Sequence, residues 1–449
     1  MIIREMLSEL RRWKDMAGRK PLLLKGARQI GKTWLMEEFG RECFEHTAKF
    51  DFDATPELCR VFERTRDVHR LLKELELYVE CPLEAGRTLL IFDEIQACES
   101  ALNSLKSFCE LAPEYHVMAA GSLLGVAVRS RRMQVPVGKV TIRTLRPVTF
   151  SEFLRVSDER TWRYVEELSG LEPLPEIVLS RLELEYRRYL VSGGMPEAVM
   201  ALLSGRGMGE VDKVLDDILE MYELDFSKYA DAVQVTRIHA LWHSLPSQLA
   251  KENRKFLYRV VREGARAREY EDGLLWLEES GLIQRCFNVT KPGVPLSAYR
   301  DVSAFKVYAS DCGLLRRLAR LSPEMVLRGS DEYVEFRGAL AENAVLQSLL
   351  AQGEDIPYYW SSDSRAEVDF LVQWPQGVVP IEVKSERRLG GKSLSVYTEK
   401  FGPPMRVRLS MNNLQWREGL LSCPLALTDW LTRLGAQATC GVSTKGTEG

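Results

Sequence analysis

The sequence has no C-x-x-C pair, no apolar run long enough to cross a bilayer, no surplus of either charge and no internal repeat. Each absence removes a class of function. The nine cysteines are scattered, at 43, 59, 81, 98, 109, 286, 312, 423 and 440, so a zinc ribbon or a thioredoxin-like redox site has no support. Their odd number fits reduced thiols. The opening stretch, residues 2–13, is amphipathic rather than the apolar core of a secretory leader. A cytoplasmic protein with no membrane partner is therefore expected. Formal net charge is −3, from Lys+Arg 61 against Asp+Glu 64. Nucleic acid is not demanded as a partner, although a basic groove can hide inside a balanced total. A hydrophobic share of 45% and a charged share of 28% belong to a globular chain rather than a disordered one. Its 449 residues exceed one hydrophobic core and imply about two to four domains.

Short apolar runs at 21–24, 88–92 and 116–120 read as buried strands, with helical patterns at 33–39 and 100–111 between them. Strands alternating with helices imply a parallel sheet covered on both faces. From 150 to about 325 the pattern is mostly helical, broken at Gly193-Gly194-Met195-Pro196. Within it, residues 270–289 read as helix, turn, strand, the unit that closes a winged helix. Beyond 330 a helix at 338–350 precedes strands at 356–360, 366–373 and 378–384.

The octet Gly26-Ala27-Arg28-Gln29-Ile30-Gly31-Lys32-Thr33 fits G-x-x-x-x-G-K-[ST]. It follows a strand and opens a helix, as a phosphate loop must. Its backbone N–H groups would wrap the phosphates of ATP, Lys32 would neutralise them, and the Thr33 hydroxyl would reach Mg²⁺. The strand 88–92 ends in Asp93 and Glu94. Such a strand is expected beside the first one, with Asp93 holding Mg²⁺ through water and Glu94 acting as the base for the attacking water. Ser122, closing the third strand, reads either as a γ-phosphate sensor or as a turn former. Arg129, Arg131 and Arg132 read either as an arginine finger or as a solvated basic loop.

A second acidic constellation lies near the C-terminus. Asp369 sits in an alternating strand, and Glu382-Val383-Lys384 places an acid and a lysine on one face of the next. With Glu342 on the preceding helix, this is the PD-(D/E)-x-K pattern. Asp369, Glu382 and Glu342 would hold Mg²⁺ ions that activate water, and Lys384 would steady the pentavalent charge. The competing reading is an exposed acidic strand face.

Three weaker signals remain. His239 and His243 lie four apart on a helical stretch, as zinc ligands can, but no Glu lies between them and no third ligand is evident, so a helical face near the core is the better reading. The segment 254–268 carries Arg254, Lys255, Arg259, Arg262, Arg266 and Arg268, suited either to DNA phosphates or to a solvated face. Tyr358-Tyr359-Trp360 reads as a core strand.

The runs GARQIGKT, LLIFDEIQ, AAGSLL, LRPVTFSEFL, SGGMPEA, YASDCGLL, FRGALAENAV, AEVDFLV and PIEVKS resemble, in this order, a family of prokaryotic AAA-type ATP-binding proteins. The resemblance covers nearly the whole chain. It implies an α/β fold: a P-loop NTPase parallel sheet at 1–148 and a helical lid at 149–205. A helical or winged-helix domain at 206–328 and a restriction-endonuclease-like domain at 329–436 would follow, with a disordered tail at 437–449. Gly138-Lys139 stands where Gly-Arg is expected, so Lys139 or Arg143 would take over any arginine role. Two functions follow. One is Mg²⁺-dependent ATP hydrolysis coupled to a module that binds or cleaves double-stranded DNA. The other is an ATP-dependent switch whose nuclease-like domain is silent and acts on a protein partner, on DNA or within a homo-oligomer. A scaffold that binds ATP only for stability is a third.

Overall fold

A computed structural model gives the fold. It describes residues 2–122, 125–126, 135–229, 232–251, 255–329, 333–353, 357–362, 366–387 and 392–443. Arg129, Arg131, Arg132 and Arg254 lie outside the described residues. The chain divides into two compact units. The first comprises residues 3–146 with 275–281, and the second comprises 1–2, 147–274 and 282–449.

The first unit is built on a five-stranded sheet. Its strands are β1 (Leu22–Lys25), β2 (His46–Asp51), β3 (Thr88–Asp93), β4 (His116–Gly121) and β5 (Thr141–Thr144), in the order β2-β3-β4-β1-β5. All neighbours are parallel. The expected parallel α/β core is therefore present, with one correction: β4, not β3, lies beside β1. The apolar runs are buried throughout β3 and β4, because helices cover both faces of a parallel sheet. Phe92 centres the core, with Phe50, Phe52, Phe62 and Phe108 at 5.5–5.9 Å in edge-on contacts. Each such pair adds roughly 0.5–1.5 kcal/mol beyond burial.

The second unit carries an eight-stranded mixed sheet. Its strands are β6 (Ile283–Val289), β7 (Arg300–Ala309), β8 (Tyr358–Ser361), β9 (Glu367–Trp374), β10 (Gly377–Val383), β11 (Arg406–Ser410), β12 (Gln415–Arg417) and β13 (Leu420–Pro424). The order is β12-β13-β11-β10-β9-β8-β6-β7. The helix–turn–strand unit at 270–289 was expected to close a winged helix within 206–328, and its strand, β6, pairs with β7, which was not expected. The pair extends the C-terminal sheet through the parallel bridge Asn288↔Tyr359. Tyr359 and Trp360 are buried, and Trp360 packs on Tyr397 and Phe401, as a core strand requires. The expected disordered tail at 437–449 is corrected over 437–443, and residues 444–449 lie outside the described residues. A helix runs over Leu431–Ser443, and Leu431, Leu434 and Ala438 are buried along it. That spacing gives it an apolar stripe.

Several motifs behind the family resemblance meet in one buried knot of this unit. Asp311 accepts hydrogen bonds from Gly194 N (2.6 Å), Leu314 N (3.0 Å) and Gln347 Nε2 (3.2 Å). Burial pushes its carboxyl up, and these donors oppose the shift. Gly193 has φ +63°, and a Cβ there would stand 2.1 Å from Asp311 Oδ1. Only glycine fits such a turn against a buried carboxylate.

Candidate active site

The phosphate loop is shaped by backbone that few residues tolerate. Gly26 has φ +152°, and a Cβ on it would lie 2.6 Å from Leu145 O. Gly31 is left-handed and opens the helix Lys32–Cys43. Its free N–H groups and dipole make an anion cradle at the end of β1. Arg4 supports the loop from beneath, donating to Ile30 O (3.3 Å) and Arg146 O (2.6 Å). Gly281 backs it from the other side, close to Ala27 N.

Lys32 is buried and donates to Gly26 O (3.0 Å) and Ala27 O (2.9 Å). Burial lowers its pKa to about 8, with Glu94 and Asp93 opposing the shift and Arg28 adding to it. A lysine held this way is poised for an anion, whose charge would restore its full protonation.

Thr33 Oγ1 donates to Asp93 Oδ2 at 2.7 Å. The loop and β3 thus bring a hydroxyl and a carboxylate together, although β4 separates β1 from β3. Burial raises the Asp93 pKa, and the Thr33 hydrogen bond opposes it. Lys49 on β2 stands 3.7 Å from Asp93 Oδ2 and 2.9 Å from Glu37. One hydroxyl and one buried carboxylate in contact fit the oxygen ligands that Mg²⁺ takes beside a nucleotide.

Glu94 adopts φ +48° and ψ +45°, a left-handed conformation that costs a non-glycine residue roughly 1–3 kcal/mol. Its carboxylate accepts from Ser122 Oγ at 3.0 Å and from Gln96 Nε2. Ser122 thus meets Glu94, in an arrangement that orients the carboxylate at the sheet edge. Lys139 pairs with Glu110 at 2.8 Å and Arg143 with Glu9 at 3.2 Å. Both candidate substitutes for an arginine are therefore engaged.

The C-terminal acids are arranged otherwise. Asp369 Oδ2 accepts Val383 N at 2.8 Å. Glu382 is buried and accepts from Arg408 Nε at 3.0 Å, with Lys384 Nζ 3.6 Å from its other oxygen. The predicted shared face of Glu382 and Lys384 is therefore present. Glu342 accepts from Tyr308 OH at 3.0 Å and lies 4.0 Å from Lys306 Nζ. Lys306 is fully buried and also pairs with Glu367. Among the described residues, Glu342, Asp369 and Glu382 do not form a set with oxygens within 4.8 Å of one another. Where a shared metal was expected, a backbone amide holds Asp369, Arg408 holds Glu382 and the Tyr308 hydroxyl holds Glu342, with Lys306 beside Glu342. Sequence reading missed Lys306 and Arg408, whose strands lie far away in the chain.

Residues 18–154 match a family model described as an AAA domain. This segment is similar to AAA domains. Residues 183–325 and 337–427 match two models described as domains of unknown function. No curated protein matches the chain. Among solved structures, the Walker-type ATPase paby2304 of Pyrococcus abyssi is 16% identical, with 71% of this chain and 96% of that chain covered and a TM-score of 0.42. The Aeropyrum pernix ORC2 protein, in ADPNP-ADP complexes, is 15% identical over 73% of this chain and 95% of its own, with a TM-score of 0.38. These likenesses are distant. No helix among the described residues is long and apolar enough to cross a membrane.

Proposed function

We propose that the AAA-type domain hydrolyses Mg²⁺-ATP and that the second unit is a binding module that does not cleave DNA. The observation that carries the first half is the Thr33–Asp93 contact at 2.7 Å beside a buried Lys32. Lys32 exchanges its two loop carbonyls for the β- and γ-phosphates. Thr33 and Asp93 are the residues that would hold the metal. Mg²⁺ supplies charge neutralisation on the phosphate oxygens. Glu94 accepts a proton from the water that attacks the γ-phosphorus, while the bond to the ADP oxygen breaks. Ser122 and Gln96 fix the angle of Glu94.

The second half rests on the acids already held by Val383 N, Arg408 and Tyr308. A metal on Asp369 Oδ2, Glu342 Oε2 or Glu382 Oε2 would have to displace a buried hydrogen bond, which is costly, while Glu382 Oε1, without such a bond, faces Lys384 Nζ at 3.6 Å. A role in meeting DNA phosphates is favoured by one observation: Arg259, Arg262, Arg266 and Arg268 are all exposed. The test is phosphate release by the full chain, with and without double-stranded DNA, while the DNA is followed on a gel. Turnover that needs Mg²⁺ and leaves DNA intact agrees with the proposal. Mg²⁺-dependent cleavage that disappears in Asp369→Ala refutes the second half.

A further inference from the structure

Outside the phosphate site, one cluster of side chains has the composition of a transition-metal site. The helix Met208–Tyr229 carries Glu223, and the helix Ala232–Leu249 carries His239 and His243. The two histidines stand one turn apart, so both rings lie on the same face. They stack at 6.2 Å between centroids with planes only 15° apart. Glu223 reaches across from the other helix and places one oxygen against each ring. Oε2 lies 3.6 Å from His239 Nδ1 and Oε1 lies 3.2 Å from His243 Nε2.

These distances are informative. Ligands at about 2.0–2.1 Å from a tetrahedral zinc ion stand ~3.3 Å apart. The two measured separations bracket that value, whereas 3.6 Å is too long for a hydrogen bond. One ligand atom from each of the three residues lies within 4.8 Å of the other two, and this is the only such group of three among the described residues. His239 is held in place by an edge contact with Phe226 at 5.0 Å. Its ring therefore needs little reorientation. His243 is 57% exposed, which gives an ion an entry path and leaves a coordination position for water.

We infer that Glu223, His239 and His243 form a site for a borderline divalent transition metal, of the Zn²⁺ or Co²⁺ class, that bridges these two helices. Two imidazoles and one carboxylate suit such ions, while Mg²⁺ prefers an all-oxygen shell. The site is thus chemically distinct from the proposed Mg²⁺ position at Thr33 and Asp93. The sequence offers the His-x-x-x-His pair. The third ligand comes from a separate helix and is visible only after folding.

The experiment uses the full chain, stripped with a chelator, in nucleotide-free buffer. Zn²⁺ is titrated by calorimetry in the presence of excess Mg²⁺, and Co²⁺ is titrated by visible absorption. A Zn²⁺ site that Mg²⁺ does not displace is expected, with Co²⁺ giving d–d bands and no thiolate charge-transfer band. Loss of a partner that merely orients a ligand weakens metal binding about 10–100-fold. Glu223→Gln and His243→Asn, which remove ligands, should each weaken it at least that much. His243→Asn alters a largely exposed side chain, and Glu223→Gln is nearly isosteric, so both variants keep the fold. Affinity unchanged in both variants, or a strong thiolate band placing the ion on cysteines, overturns the inference.

Discussion

The acids that end β3 and the acids of β9 and β10 present similar chemistry in the sequence and reach different states in the fold. Asp93 and Glu94 meet hydroxyl and amide donors, Thr33, Ser122 and Gln96, at the end of a parallel sheet. Those donors exchange readily with a ligand or an ion. Asp369, Glu382 and Glu342 meet a backbone amide, an arginine and a tyrosine, with buried Lys306 next to them. Both sets have a lysine nearby, Lys49 at 3.7 Å from Asp93 and Lys306 at 4.0 Å from Glu342, but the C-terminal acids also have oxygens committed to an arginine, an amide and a tyrosine. An acidic motif is therefore a statement about residue type. Whether the acids stay available depends on what the surrounding strands bring to them.

The largest expected effect breaks the comparison on the phosphate side. Lys32→Ala should lower ATP turnover by roughly 10²–10³-fold with the fold intact, as measured by phosphate release and circular dichroism. A wild-type rate would remove the phosphate-loop assignment. Glu94→Gln should lower turnover by about 10²-fold or more while ATP binding by calorimetry persists. Loss of binding instead would make Glu94 a ligand-holding residue rather than a base.

On the other side, Lys306→Met leaves Glu342 and Glu367 without their buried cation. Breaking a buried pair costs roughly 3–5 kcal/mol, so a clear fall in the denaturation midpoint is expected. If added Mg²⁺ restored the midpoint, the acids would form a latent metal site. A smaller change, Ser122→Ala, should slow turnover by about tenfold, since one hydrogen bond to a charged group is worth roughly 1.5 kcal/mol. No change would make Ser122 a turn former. The smallest effect concerns pH. Burial lowers the Lys32 pKa to about 8, so free protein above that pH has lost this proton. Nucleotide charge raises the pKa again, so binding above pH 8 should take up a proton and weaken as pH rises. Calorimetry in buffers of different ionisation enthalpy measures the uptake.

Much of the phosphate site was legible because it is local. Eight consecutive residues make the loop, and an apolar run followed by Asp93-Glu94 makes the acidic strand end. Arg4, Lys49 and Gly281 were not legible, because nothing in the sequence ties them to the phosphate site. The strands β2 and β5 were also missed. β5 is mostly exposed and β2 is only partly buried, so neither shows the continuous apolar run of β1, β3 and β4. The strand expected from residues 282–289 became part of a larger sheet, since a single strand pattern does not say which strands will pair with it.

The sequence by itself determined a phosphate loop, a strand ending in two acids and a parallel α/β core, because each follows from short-range backbone geometry and apolar periodicity. Only the tertiary structure decided the strand order that sets β4 between β1 and β3. It also decided that Ser122 meets Glu94, that Lys306 stands beside Glu342, and that Glu223 meets two histidines. Those outcomes depend on contacts between residues far apart in the chain, and hydrophobic packing of whole elements, rather than local sequence, brings them together.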